Sequence, residues 1–379
     1  ARLWCGSLLV PDHFFEFAHS KSRRVQQDGI YCYRLRMQTH KFVLPALLAL
    51  LAPLISACGS SVPPQESASL LPVTKGELRL ASERAGKWWG AAAASGYLDE
   101  PGYADALAGQ FTMMTVENGL KFPFIHPSPG VYDFTEGVAM ARFARAHGLK
   151  LRGHVLVWRE DLTPWLGENP SREAAIALMR EHIFTVLGHY RTEFPDVFVQ
   201  WDVVNEAYRA DGSLRDSGWH RAIGDDFIEL AFRFAHEAWP GMKLYYNDFE
   251  ELVFNVFGSI VDASGAVDLD GLRPGLGPSI ASADCAVSAK CVAIRAMAAD
   301  FVARGVPIDG IGFQGHIANL VAPDFGKYAE WVGPLGLQWM VTELDAPCAP
   351  ELLGGFNQLL CFQTQAAIYG GIMRACVDD

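Results

Sequence analysis

The chain has 379 residues, 50% of them apolar and 20% charged, with 36 Gly, 10 Trp and a formal net charge of −12. This composition excludes a disordered chain, a collagen-like repeat and a small disulfide scaffold. It leaves one large α/β barrel or two ordinary domains, and the acidic balance argues against nucleic acid as a main partner.

The first Met is Met37. A short basic start through Lys41, an apolar run from Phe42 to Ile55 and the small residues Ser56-Ala57-Cys58 make an export signal over 37–57. The run is too short to cross a bilayer as a stable helix, which needs about 20 residues. Ile55-Ser56-Ala57-Cys58 resembles a lipobox, in which Cys58 takes a lipid and becomes the mature N-terminus. An ordinary signal peptide that contains a Cys is the alternative. Gly59 and Ser60 lack an acidic retention signal, which favours an outer-membrane destination in a cell that has one. Residues 58–79 read as a Ser/Pro-rich tether. Residues 1–36 precede the start, are basic and show no convincing period. They read as upstream sequence that is not part of the native protein, with a genuine N-terminal extension as the alternative. Without 1–57 the chain has 322 residues and a charge near −16, an acidic exported protein whose Cys pairs meet an oxidising compartment.

From residue 80 to 379, strand-like runs alternate with helical patterns. The strands are Trp88–Ala93, Phe111–Val116, Leu149–Trp158, Val197–Val204, Leu244–Asn247, Ile308–Gln314 and Leu337–Thr342. The helices include Glu136–His147, Ser171–Tyr190, Asp225–Ala238, Ala289–Arg304 and Gln358–Cys376. Alternation of this kind implies a parallel sheet with helices outside, the α/β class. No Gly-rich phosphate loop follows the first strand, so a dinucleotide fold is unsupported. Polar residues cluster at the strand ends: Glu117-Asn118, His154, Asn205-Glu206, Asn247-Asp248, Gln314 with His316, and Glu343 with Asp345. In a (β/α)8 TIM barrel that face builds the active site.

Glu206 and Glu343 each end an apolar strand. Two carboxylates facing one cleft are what glycoside cleavage needs: one protonates the leaving oxygen, and the other attacks the anomeric carbon or activates water. The acids and histidines show no metal spacing, with no His-Glu-x-x-His and no Cys-x-x-Cys. The cleavage needs no metal and no cofactor.

Six segments in order carry a specific resemblance: 115–121 (TVENGLK), 152–158 (RGHVLVW), 202–207 (DVVNEA), 246–248 (YND), 308–316 (IDGIGFQGH) and 341–345 (VTELD). The chain resembles the endo-1,4-β-xylanases of glycoside hydrolase family 10. The resemblance implies that Glu206 is the general acid/base and Glu343 the nucleophile of a retaining double displacement on xylan, with opposed environments setting their pKa values apart. It implies that His316 hydrogen-bonds the nucleophile and that Asn205 bonds the sugar 2-hydroxyl. Glu117, Asn118, Lys121, His154, Trp158 and Gln314 resemble glycone-side sugar contacts, and Tyr246 and Asn247 a leaving-group-side platform. The expected partners are xylan or xylo-oligosaccharides, met by a monomer that touches a membrane only through a lipid on Cys58.

The chain departs from the family pattern in several places. Phe122 stands where the family has Trp, and Arg159 where it has His; Phe keeps a hydrophobic face without an indole donor, Arg adds a permanent charge near the glycone subsites, and their effect on the subsites is left open. Residues 254–288 form an insertion on the active-site face. Cys285 and Cys291 are a candidate pair, as are Cys348 and Cys361, while Cys376 is left alone. The pattern stops before an eighth β/α unit, so about seven units are expected, with two unpaired sheet edges. On this reading the chain is C-terminally incomplete, of low stability and weakly active or inactive. Two other readings stand beside the xylanase: a related retaining β-glucanase or cellulase, and a polysaccharide-binding surface lipoprotein that has lost turnover.

Overall fold

The structure is a computed structural model that describes residues 4–8, 74–159, 170–249, 260–261, 267–268, 285, 288–316, 325–346 and 358–378. The chain divides into one unit of residues 1–10 with 72–379 and a second of residues 11–71. The second unit lies outside the described residues, and with it the export signal and Cys58. So do Cys348 and most of the 254–288 insertion.

The first unit is built on parallel strands. After β1 (Trp4–Leu8) come β2 (Trp88–Ala93), β3 (Met113–Val116), β4 (Lys150–Gly153), β5 (Val157–Trp158), β6 (Phe198–Asn205) and β7 (Lys243–Asp248). A short antiparallel pair, β8 (Ile260–Val261) and β9 (Val267–Asp268), lies in the insertion, followed by β10 (Gly310–Phe313) and β11 (Gln338–Val341). The sheet order is β1-β2-β3-β4-β6-β7-β10-β11, with β5 also on β6. This is the (β/α)8 barrel pattern, and β2 to β11 supply its seven recognisable units.

Two strand expectations change. The run 149–158 is split into β4 and β5, because Leu156 N–H turns to donate to the Asp202 carbonyl while His154 points inward to the Asp202 carboxylate. One of the two expected free edges is covered: β1 pairs in parallel with β2 and also packs against β11 and α10 (Gln358–Asp378). An unpaired strand edge presents a row of open N–H and C=O groups that recruits any extended segment within reach.

The helices pack outside. α4 (Thr135–His147) buries Met140, Ala141 and Ala144 and ends at Gly148, whose φ of 66° suits glycine. α5 (Arg172–Glu193) starts where the Ser171 hydroxyl accepts from Ala174 N–H, and α8 (Ala289–Arg304) where Ser288 accepts from Cys291 N–H. α7 (Phe227–Ala238) turns Phe227, Ile228, Ala231, Phe232 and Ala235 into the core, the spacing of a one-sided helix. Cys285 and Cys291 form the expected disulfide. Cys376 is also disulfide-bonded, contrary to the expectation that it stands alone.

Inside the barrel Met113, Tyr245 and Met340 form a plug beneath the polar strand ends. On β10 the inward positions are glycines, because their neighbours fill the space. A Cβ on Gly312 would lie 2.4 Å from Asn247 Oδ1 and 2.8 Å from Thr342 Cγ2. The substitution Gly312→Ala therefore has to push Asn247 off its site. Overpacking of this kind costs about 1–3 kcal/mol, and Asn247 is a neighbour of Glu343. A lowered melting midpoint together with reduced turnover is expected; a variant as stable and active as its parent would contradict this packing.

Candidate active site

A bulge decides which side chains of β6 face the axis. Its register with β7 shifts between Asp202 and Val204, so one extra residue reverses the alternation. Asp202 and Asn205 then both meet inward neighbours. Glu206 follows in a left-handed conformation, φ 58°. That backbone costs a non-glycine residue about 1–3 kcal/mol and persists only where its surroundings enforce it.

The enforcement is a cluster of amides. Gln314 Nε2 donates to Glu206 Oε1 at 2.8 Å, and Asn205 Nδ2 to the same oxygen at 3.3 Å. Asn247 Nδ2 donates to Asn205 Oδ1 at 2.9 Å and to Glu343 Oε1 at 2.8 Å, while Asn247 Oδ1 accepts from Thr342 Oγ1 at 2.7 Å. Gln314 Nε2 lies 3.2 Å from Asn205 Oδ1. Two amide nitrogens converge on one end of Asn205, so that end is its oxygen; turning the amide to face Trp158 Nε1 with oxygen would set three NH2 groups against one another. Both carboxylates thus hang from one amide cluster.

Glu343 follows β11, and its N–H donates to the Gln314 carbonyl at 2.7 Å. Its Oε2 lies 3.3 Å from His316 Nε2, and its Oε1 3.9 Å from His154 Nε2. Burial alone would raise the Glu343 pKa, but His154, His316 and Arg152 outweigh it and hold the value at about 2. His316 Nδ1 meets Asp345 Oδ2 at 2.8 Å. Hydrogen bonds to Asp345 and Glu343 outweigh partial desolvation and raise the His316 pKa to about 10. His316 is therefore an imidazolium wedged between two carboxylates.

Beneath the site, His154 Nδ1 meets Asp202 Oδ2 at 2.8 Å, and Arg152 donates to the same carboxylate. Both ends of the Arg152–Asp202 pair are fully buried. Removing one partner of such a pair typically costs about 3–5 kcal/mol, since a charge is left alone. Asp248 is buried too and is held by Lys290 Nζ at 2.7 Å and by the Tyr246 hydroxyl. Burial raises its pKa, and these partners offset that only in part.

Glu206 has a second oxygen, Oε2, which accepts from Arg159 Nε at 2.5 Å. Burial pushes its pKa up, but Gln314, Arg159 and Trp158 donate to the carboxylate, and it ends below the usual value. The expected opposition between the two glutamates is therefore absent: both lie below the usual carboxylate range. The donors on Glu206, Gln314 first and then Arg159 and Trp158, are the reason.

The family model of glycosyl hydrolase family 10 matches residues 77–255 and 283–379. The chain belongs to that family. The stretch the family model leaves unmatched falls inside the insertion read from the sequence. Endo-1,4-beta-xylanase B of Thermotoga neapolitana is 31% identical over 344 residues, 89% of this chain and 83% of the relative. Endo-1,4-beta-xylanase A of Thermoanaerobacterium saccharolyticum is 32% identical over 257 residues, 65% of this chain but 19% of that longer protein. Xylanase 10B of Thermotoga petrophila, solved in complex with xylobiose, superposes with a TM-score of 0.64 at 29% identity, covering 81% of this chain and 83% of that one.

Most of the sequence-predicted site residues converge in this family-10 barrel. Lys121 Nζ donates to Asn118 Oδ1 at 2.9 Å and lies 5.3 Å from the Trp158 ring centre. Glu117 is exposed at the end of β3. Two expectations fail. Tyr246 is fully buried, and its hydroxyl is taken by Asp248 and by Ala207 N–H, so it offers no platform to a sugar. Asn247 is equally buried, and its amide is committed to Asn205, Glu343 and Thr342, so it orients the carboxylate instead. Phe122, whose effect on the subsites the sequence leaves open, is fully buried against His182 and Trp219. Sequence reading also missed Arg152, Asp202, Thr342 and Lys290. The charges within the apolar runs 149–158 and 197–204 were the available signal.

The titrations give a test. The raised pKa of His316 means that its contribution to stability is complete below its ordinary 6.5 and is lost as pH rises through about 10. Thermal melts of the parent and His316→Gln should differ most below pH 6.5 and converge toward pH 10. A gap that stays constant over that range would contradict a charged His316.

Proposed function

We propose that this chain is an endo-1,4-β-xylanase acting on internal β-1,4 bonds of xylan by a retaining double displacement. The observation that carries the reading is the pair of carboxylates hung from one amide cluster at the mouth of a family-10 barrel. The Thermotoga petrophila relative is solved in complex with xylobiose, which supports xylo-oligosaccharides as the ligand class.

Glu343, ionised, attacks the anomeric carbon while Glu206 gives its proton to the leaving glycosidic oxygen. The chain beyond the cleaved bond departs with that proton, and a glycosyl ester to Glu343 remains. Glu206, now charged, takes a proton from water, which attacks the anomeric carbon and frees Glu343. Configuration is retained after two inversions. The low pKa of Glu343 supports the nucleophile role, since a charged carboxylate is ready at any pH above about 2. As Glu343 becomes an ester it loses its charge, and Asp345 keeps His316 paired through that step. Asn205 is the residue we assign to the sugar 2-hydroxyl. Asn118, Lys121, His154, Trp158, Gln314 and Glu117 are assigned to the glycone side. The leader over 37–57 and Cys58 support export and a lipid anchor at the cell envelope.

Product analysis on xylan, cellulose and mixed-linkage glucan tests the reading. Xylo-oligosaccharides from xylan are expected, with a loss of roughly 10³-fold or more in Glu343→Ala. Cleavage that survives Glu343→Ala, or equal release from cellulose, would refute it.

A further inference from the structure

The two oxygens of Glu206 are not equivalent. Oε1 accepts from Gln314 and Asn205. Oε2 is left as the oxygen that can carry a proton to a leaving group, and Arg159 Nε–H points at it from 2.5 Å. A protonated Oε2 would set its own hydrogen against that N–H. The Glu206 side chain is 9% exposed and the Arg159 side chain 34%, so the pair sits at the wall of the cleft with the arginine on the solvent side.

We propose that Arg159 is a positioning residue for the acid/base: its guanidinium occupies the proton-bearing oxygen of Glu206, restrains the proton-donating half of the reaction to acidic conditions and favours the half in which Glu206 acts as a base. The proposal rests on the acid/base reading of Glu206. The first step needs Oε2–H, which Arg159 opposes. The second needs a bare carboxylate, which Arg159 stabilises.

Among the described residues, Arg159 is the cation paired with Glu206. Asp248 at the end of β7 is the acidic group that acts on Glu206 from the neighbouring strand, and its charge is matched by Lys290 of α8. Lys290 and Arg215 meet the ring of Phe249, which Arg159 also approaches at 6.0 Å. Across the site Glu343 is matched by His316. Among the described residues, the side of β5 and β10 adds the neutral donors Trp158 and Gln314. The lowered pKa of Glu206 has the sign that this geometry requires.

The test follows kcat/KM against pH on two substrates. Xylohexaose has a poor leaving group and needs Glu206 protonated. A 2,4-dinitrophenyl xylobioside has a good one and does not. An opposite charge in contact moves a carboxylate by about 1 pH unit or more. In Arg159→Gln the alkaline limb on xylohexaose should therefore rise by about 1 unit, which is up to about tenfold in rate above the parent's limb. The limb on the aryl substrate should stay in place. Arg159→Lys, which keeps the charge, should keep the parent's limb on xylohexaose. Partial misfolding lowers both substrates together at every pH and does not move a limb. The proposal is overturned if the xylohexaose limb stays put in Arg159→Gln, if both substrates shift alike, or if Lys shifts it as far as Gln does. Glu206→Ala separates the two claims: a loss no larger on xylohexaose than on the aryl substrate would remove the acid/base reading itself.

Discussion

Glu206 and Glu343 carry like charges into one cleft, and the surrounding structure answers that repulsion. Each carboxylate is tied by an amide donor, and the two donors meet on the oxygen of Asn205. Each is also matched by a cation, Arg159 for Glu206 and His316 for Glu343. The two cations differ in kind. His316 is shared with Asp345 and is locked in place. Arg159 reaches in on a long side chain from the residue that follows β5.

The scaffold extends this charge matching downward. Arg152 and Asp202 form a buried pair that orients His154 beneath Glu343. Lys290 and Asp248 form a second one beside Glu206. Each buried charge needs its partner, because desolvation without one is costly. The glycines of β10 leave the volume in which Tyr245 and Asn247 sit. Packing and electrostatics therefore meet at Asn247, which fills the space above Gly312 and orients the Glu343 carboxylate.

The strand ends were legible because a barrel writes its function there: Glu117, His154, Glu206, Gln314 and Glu343 all stand where an apolar run stops. Helices with one apolar face, such as α7, were legible for the same reason. What a linear reading missed was depth. Tyr246 alternates with Tyr245 along β7, and only the fold shows that neither ring reaches the cleft. Phe122 adjoins a sugar-contact motif in sequence, yet turns into the core against His182. The β6 bulge that aligns Asp202 with Asn205 is a register event between strands, with no mark in a single chain. The pairing of Trp4–Leu8 with β2 joins residues far apart in sequence, which no local period reveals. The resemblance marks Arg159 as a departure but not its partner, because the ion pair joins residues 47 apart in sequence.

Glu343 is the nucleophile we propose, with Glu206 as its acid/base partner. Covalent trapping addresses it directly. An activated 2-deoxy-2-fluoro xylobioside slows both steps but lets a good leaving group depart, so that the glycosyl ester accumulates. After digestion, mass mapping should place the fluoroglycosyl group on the peptide that contains Glu343. Label on Glu206, or turnover of the reagent with no covalent adduct, would contradict the account.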